Sequence, residues 1–334
     1  LDSPTSFTRR AFGSMLAAGA AAPLLSAVPA LAQTAAVGSF SLGWVKSTAN
    51  LLAPVSATIA PTYGLTIDAS NFTTAQDILT AMIAGQIDVG LLTPIHLIRS
   101  IDSGLDFVQI AGNARGGTGM VAAKSLGLAK DDWAGFKKLA AKNKIRIASS
   151  RGSINEALAI AQLQQMKIDR ANDVDITNIP NFAQHVQALR SGDFDMIITL
   201  EPAASLAVTS GVGTLFCYPY ATPAGNLNTN FVVTRKWLMA NAPKAQAFAY
   251  ALRDAQKKLT GDATFRTTSA AQLSGLAPDV LAMANADTVY DLHNGTAQMQ
   301  ALAKIALSEQ YITKDVADLL PAHVEERFLR QAKV

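Results

Sequence analysis

One unit of the sequence occurs twice. Residues 75–94 read AQDILTAMIAGQIDVGLLTP and residues 183–202 read AQHVQALRSGDFDMIITLEP. Each copy opens on Ala-Gln and runs two to three turns with apolar residues at helical spacing. Each then stops at a glycine, Gly85 or Gly192. A glycine just past a helix takes the left-handed conformation without a Cβ clash. An apolar residue and an aspartate follow, Ile87-Asp88 or Phe194-Asp195, and then a short apolar run. That run is too short for a buried helix and suits a strand covered on both faces. Pro94 and Pro202 close the units, where a missing N–H suits the first turn of a new helix. Two helix–strand–helix units roughly a hundred residues apart predict two similar α/β lobes.

The 334 residues, 49% of them hydrophobic, suffice for one large or two ordinary domains. Charged residues make up 16% and nearly balance at +3, so no basic face for nucleic acid is expected. Cys217 is the single cysteine, which excludes an intramolecular disulfide and a thiolate cluster within one chain. His96, His185, His293 and His323 lack metal-ligand spacing, and no P-loop, G-x-G-x-x-G or G-x-S-x-G occurs. Neither a metal nor a cofactor is therefore expected. At the start, Thr8-Arg9-Arg10-Ala11-Phe12 resembles the twin-arginine export consensus. An Ala/Gly/Leu-rich stretch and the small-x-small site Ala30-Leu31-Ala32 follow, so residues 1–32 read as a leader and the protein as exported.

Strands are expected at residues 40–42, 65–69, 107–111 and 119–123, with a helix over 49–63 and a flexible turn at 112–117. The second half repeats the order: strand 144–148, loop 149–153, helix 154–166, strand 174–179 and then the second unit. Glu156 stands three residues after Ser153, the spacing of a capping box. Residues 219–230, rich in Pro, Gly and Asn, read as a return linker before a strand at 231–234. Helices follow at 243–259, 278–285, 296–311 and 324–332. This predicts a first lobe of residues 33–123 and 230–334 and a second of 124–229. The chain would cross between them near 123–128 and 222–230. Right-handed crossovers would make each sheet mainly parallel, with helices on both faces.

These words resemble the periplasmic substrate-binding proteins of ABC importers, in particular the nitrate, sulfonate, taurine and thiamine-precursor binders. The resemblance rests on Ile147-Ala148-Ser149-Ser150-Arg151-Gly152-Ser153, on residues 188–195, on Glu201-Pro202-Ala203 and on residues 231–243. It covers about residues 38–330; one departure is Leu200, where relatives often carry an aromatic before Glu-Pro. The resemblance implies a type II two-lobed binding fold with two hinge crossings. It also implies a monomer in the periplasm that captures a small solute and docks on an inner-membrane permease. The alternative is an enzyme on the same fold, of the thiamine-pyrimidine synthase or desulfinase kind. Those enzymes use a site cysteine or a Cys-rich motif, and the loop after the first strand here has none.

Ligands in such sheets bind at the carboxyl ends of strands. Four ends supply candidates. At the first, Trp44, Lys46, Ser47 and Thr48 offer an aromatic wall, a charge and caps, unless Lys46 is simply solvated. At the second are Thr93 as a cap and His96, a ligand contact or a satisfied structural histidine. The third, Ser150-Arg151-Gly152-Ser153, is a predicted anion cradle of hydroxyls, backbone N–H groups and a guanidinium at a helix start. The fourth carries Thr199 and Glu201; Glu201 either meets a ligand amine or sits at a helix start for its dipole. Phe72, Asn228 and Asn230 complete the set. The expected ligand is a small anionic or zwitterionic organic molecule of the sulfonate or taurine kind.

Overall fold

The computed structural model describes residues 36–334 apart from Asn294; the leader segment lies outside the described residues. The chain begins with β1 (Gly38–Val45), α1 (Leu52–Ile59), β2 (Leu65–Phe72), α2 (Ala75–Ile83), β3 (Val89–Leu92), α3 (Pro94–Asp102) and β4 (Phe107–Arg115). It continues with β5 (Thr118–Ala123), α4 (Trp133–Ala140), β6 (Ile145–Ser149), α5 (Ile154–Gln165), β7 (Val174–Asn178), α6 (His185–Arg190), β8 (Met196–Leu200), α7 (Ala203–Thr209) and β9 (Gly213–Cys217). The rest is β10 (Leu227–Thr234), α8 (Arg235–Ala240), α9 (Ala242–Gly261), α10 (Ala263–Ser274), α11 (Pro278–Asp287), β11 (Val289–Tyr290), α12 (Thr296–Ser308) and α13 (Arg327–Ala332).

Among the described residues eleven strands form two sheets, ordered β11-β4-β10-β3-β1-β2 and β7-β6-β8-β5-β9. The repeated units supply β3 and β8, one to each sheet. Their side chains alternate between two cores. Val89 and Leu91 pack in one cluster and Leu92 in another; Met196 and Ile198 pack in a third and Ile197 in a fourth. That alternation is the period of two expected of a strand covered on both faces. Gly85 (φ 72°) and Gly192 (φ 79°) take the left-handed conformation that ends the preceding helix.

The repeated aspartate does the same work in both lobes. Asp88 accepts from the Ser41 N–H (3.0 Å) and hydroxyl (3.2 Å) on β1. Asp195 accepts from the Arg146 N–H (2.9 Å) and pairs with its guanidinium (2.8 Å) on β6. Each carboxylate thus pins the start of its strand to the parallel neighbour.

Both sheets are mixed. The parallel pairs are β1–β2, β1–β3, β6–β7 and β6–β8. The strands next to the crossings run antiparallel: β10 against β3 and β4, β5 against β8 and β9. The expected crossing at residues 123–128 is corrected. Residues 112–115 are no flexible turn but the buried end of β4, paired with β10 and β11. Thr118–Ala123 belongs to the second sheet, so the chain crosses at Gly116-Gly117. Ladder bonds on both sides of β4 outweigh the local Gly and Asn turn signals. A Cβ on Gly116 would stand 1.9 Å from the Asp287 carbonyl oxygen, so only glycine fits this crossing. The return crossing ends by Asn226, because Leu227 already pairs in the first sheet. The predicted helix over 49–63 is interrupted as well: α1 ends at Ile59 and a 3-10 turn, Ala60–Tyr63, holds Pro61.

Candidate functional site

A cleft of about 410 Å³ opens where the carboxyl ends of the parallel strands of both sheets meet. Val45, Thr73, Leu91 and Thr93 approach it from the first sheet, and Ser150, Asn178 and Leu200 from the second. Of the predicted residues, Ser47, Thr93, His96, Ser150, Arg151, Gly152, Ser153 and Asn228 line it.

The others stand elsewhere, each for a definite reason. Trp44 is 5% exposed and faces the first-lobe core, because alternation along β1 turns it away from the cleft. Lys46 is exposed and outside the lining. Thr48 is buried, and its carbonyl accepts from the Tyr290 hydroxyl (2.7 Å). Phe72 packs against α2 residues of the core. Asn230 is buried within β10, donating to Gln109 (2.5 Å). Thr199 is buried inside β8. Glu201 is 1% exposed and absent from the lining; its Oε2 accepts from the Ser205 N–H (3.0 Å) and its carbonyl accepts from the Ser47 hydroxyl (3.0 Å) across the lobes. It is therefore not placed to meet a ligand amine. Burial raises its carboxyl to about 7; the Ser205 contacts oppose the rise and the Asp287 charge adds to it.

The predicted cradle is built differently from its expectation. The Arg151 N–H donates to Asn178 Oδ1 (2.9 Å), the Gly152 N–H to Glu156 Oε2 (2.7 Å) and the Ser153 N–H to the Ser150 carbonyl (3.2 Å). The Ser153 hydroxyl caps α5 by accepting from the Glu156 N–H (3.2 Å). These N–H groups hold the loop's own shape and do not point free into the cleft. What the loop offers a ligand is the Arg151 side chain, which has no hydrogen bond or ion pair among the described residues.

Sequence reasoning missed several lining groups: Asn50, Thr73, Thr74, Gln76, Asp77, Arg99, Asn155, Asn178, Phe182 and Thr229, with apolar Val45, Leu91, Ile154, Pro180 and Leu200. Two signals lead to the most informative of them. Arg99 follows His96 by three residues on α3 and so shares its face. Applying the strand-end rule to β2 and β7 reaches Thr73 and Asn178. Asp77, the one acidic residue of the lining, is engaged by Thr74 in a capping box, accepting from its N–H (3.1 Å) and hydroxyl (2.8 Å). His96 lies 2.7 Å from the Thr93 hydroxyl through Nδ1; burial, with the Arg99 charge beside it, lowers it to about 4. It is neutral at ordinary pH and supplies no charge. Cys217 sits 2% exposed in the second-lobe core beside Met120 sulfur, away from the cleft, and burial pushes its thiol well up. Among the described residues no group of three or more His, Cys, Asp or Glu can hold a metal ion, and no helix is long and apolar enough to cross a membrane.

Two α/β lobes joined by two strand crossings, with a cleft at facing strand ends, define the periplasmic-binding-protein class of fold. Within that class the chain belongs to the NMT1-like family, whose model matches residues 33–274. The fold is similar to the alkanesulfonate-binding protein SsuA from Xanthomonas axonopodis pv. citri, bound to MOPS (TM-score 0.71, 20% identity, 86% of this chain and 98% of that one). It is also similar to the periplasmic nitrate-binding protein NrtA from Synechocystis PCC 6803 (0.74, 14%, 88% and 88%). A third similar structure is the ligand-binding component of an ABC-type import system from Staphylococcus aureus with zinc bound (0.74, 17%, 88% and 99%). Comparison with curated proteins by sequence finds no match.

Proposed function

We propose that this protein is an extracytoplasmic solute-binding component of an ABC importer. It captures a small anionic organic solute, of the sulfonate kind, between its lobes and delivers it to an inner-membrane permease as a monomer. The observation that carries this is the cleft itself: both lobes line it, and its charged side chains are two arginines against one carboxylate, Asp77, which caps α2 with Thr74. The structurally similar alkanesulfonate- and nitrate-binding proteins are named for anions, which supports this reading. A zwitterion is less favoured, because Glu201, the candidate for a ligand amine, is buried away from the lining.

A binding role rather than catalysis is supported by the chemistry at hand. Cys217 is buried with its thiol pushed up, so it is a poor source of thiolate. The Thr93–His96 contact sets a hydroxyl beside an imidazole, but an imidazole lowered to about 4 is a weak general base at neutral pH. Export by the twin-arginine route is proposed from Arg9-Arg10 and Ala30-Leu31-Ala32.

A thermal-shift screen of sulfonates, nitrate, bicarbonate, aromatic acids and thiamine precursors tests the reading. A true ligand at a hundredfold excess over its Kd stabilises by about 2.7 kcal/mol. The expected result is a shift with one or more anions and no turnover. A screen in which only neutral or cationic compounds shift the melt contradicts the anion reading. Product formation lost in Cys217→Ala would instead make the protein an enzyme.

A further inference from the structure

Two guanidinium groups, one from each lobe, converge on the cleft. Arg99 comes from α3 of the first lobe, and Arg151 from the loop between β6 and α5 of the second. Arg99 reaches across to the loop that carries Arg151: its Nη1 lies 3.8 Å from where a Cβ would stand on Gly152, the next residue. Both side chains are solvent-exposed, and neither has a hydrogen bond or ion pair among the described residues. The carboxylates within reach are committed elsewhere. Asp77 is held by Thr74, and Glu156 accepts from the Gly152 N–H (2.7 Å) and the Tyr311 hydroxyl (2.5 Å). The lining thus carries two guanidinium groups against the single carboxylate of Asp77, and an anion entering the cleft relieves the excess positive charge. The remaining walls include apolar Val45, Leu91, Pro180 and Phe182.

We infer that the solute is a dianionic organic acid: two acidic groups on a short apolar body, one bound by Arg99 and the other by Arg151. This rests on the reading of the cleft as the solute site and narrows it. Guanidinium groups bind carboxylate and sulfonate oxygens through paired N–H donors, which gives each arm its own acid group. An amino acid or taurine brings only one acid group, so it satisfies one arm and sets a cation beside the other. Because the two arms belong to different lobes, a dianion also ties the lobes together, whereas a monoanion satisfies one arm and leaves the other unpaired.

Isothermal titration of the purified protein tests this with matched probes: α,ω-alkanedisulfonates and aliphatic and aromatic dicarboxylates, each against the monoacid of equal length, with taurine as the zwitterion. The expected result is a dianion binding about tenfold or more tighter than its monoacid, with no heat from taurine. In Arg99→Gln and in Arg151→Gln the preference should collapse to about unity while monoacid binding survives in at least one of them. Melting curves of the ligand-free variants separate lost contacts from lost folding. A monoacid or taurine that binds as tightly as the dianion, or a preference untouched by both substitutions, overturns the two-arm proposal and leaves the solute-binding reading in place. Failure of every anion to bind overturns both.

Discussion

Glu201 shows what the sequence neighbours of a single side chain leave open. It stands at a strand end beside a helix start, where either a ligand amine contact or a structural role was expected, and the structure gives the second: it faces inward at 1% exposure and accepts from the Ser205 N–H of the following helix. Its carbonyl, not its carboxyl, makes the contact to the other lobe, accepting from Ser47. The carboxyl is raised to about 7 from an ordinary 4.5, first by burial. A raised folded value means that the folded state holds the proton more tightly than the unfolded chain. Between these two pH values unfolding releases a proton, so this group's contribution to stability falls as pH rises and is fully unfavourable above about 7. Glu201→Gln removes the titration. In urea unfolding, the variant should gain stability relative to the wild type on going from pH 5 to pH 8; a constant difference across that range would show that the carboxyl does not titrate there.

At the scale of elements, α5 is the part on which the site depends. Its N-terminal residues Ile154, Ala157 and Leu158 are buried in the same cluster as Leu97, Met299 and Leu302 of the first lobe, so this second-lobe helix is anchored across the boundary. Glu156 in its first turn shapes the loop through the Gly152 N–H and reaches Tyr311 of the C-terminal region. Farther along, Gln164 donates to Glu309 (2.8 Å), and Arg170 pairs with the same carboxylate. Tyr311→Phe keeps the ring and removes the hydroxyl from a largely buried carboxylate. Hydrogen bonds to charged groups contribute about 1.5–3 kcal/mol, and a loss of that order is expected in denaturant unfolding. A weaker grip on the solute should accompany it, since the loop carrying Arg151 loses part of its support. Undiminished stability in that variant would mean that the seam is not an anchor.

For the whole molecule, two crossings join the lobes. Gly116-Gly117 forms one, tied by the Gly117 N–H to Asp287 (2.7 Å). The Tyr220 hydroxyl from the return crossing donates to the same carboxylate (2.7 Å) and accepts from the Thr118 N–H (2.9 Å). One acidic side chain of α11 thus gathers both crossings. A solute that touches both lobes stabilises the arrangement in which they close on it, in proportion to the contacts made only there. Small-angle scattering should give a smaller radius of gyration with a saturating ligand than without one. Identical profiles under the two conditions would mean that capture needs no lobe movement.

The sequence alone determined the two-lobed α/β plan and the strand ends at which a cleft would lie. It also determined the lack of cysteine chemistry in the first-strand loop. Helical spacing, a glycine stop, a four- or five-residue apolar run and a following proline are local signals, and each acts within a few residues of itself. Tertiary structure decided the rest, because the deciding partners are remote. Ser47 meets Glu201 across 154 positions and Glu156 meets Tyr311 across 155. The same holds for the antiparallel direction of β5 and β10, for the commitment of the Arg151, Gly152 and Ser153 N–H groups within their own lobe, and for the approach of Arg99 to Gly152. A residue's type says what it can bind; whether its atoms remain free to bind depends on which distant groups the fold brings to them.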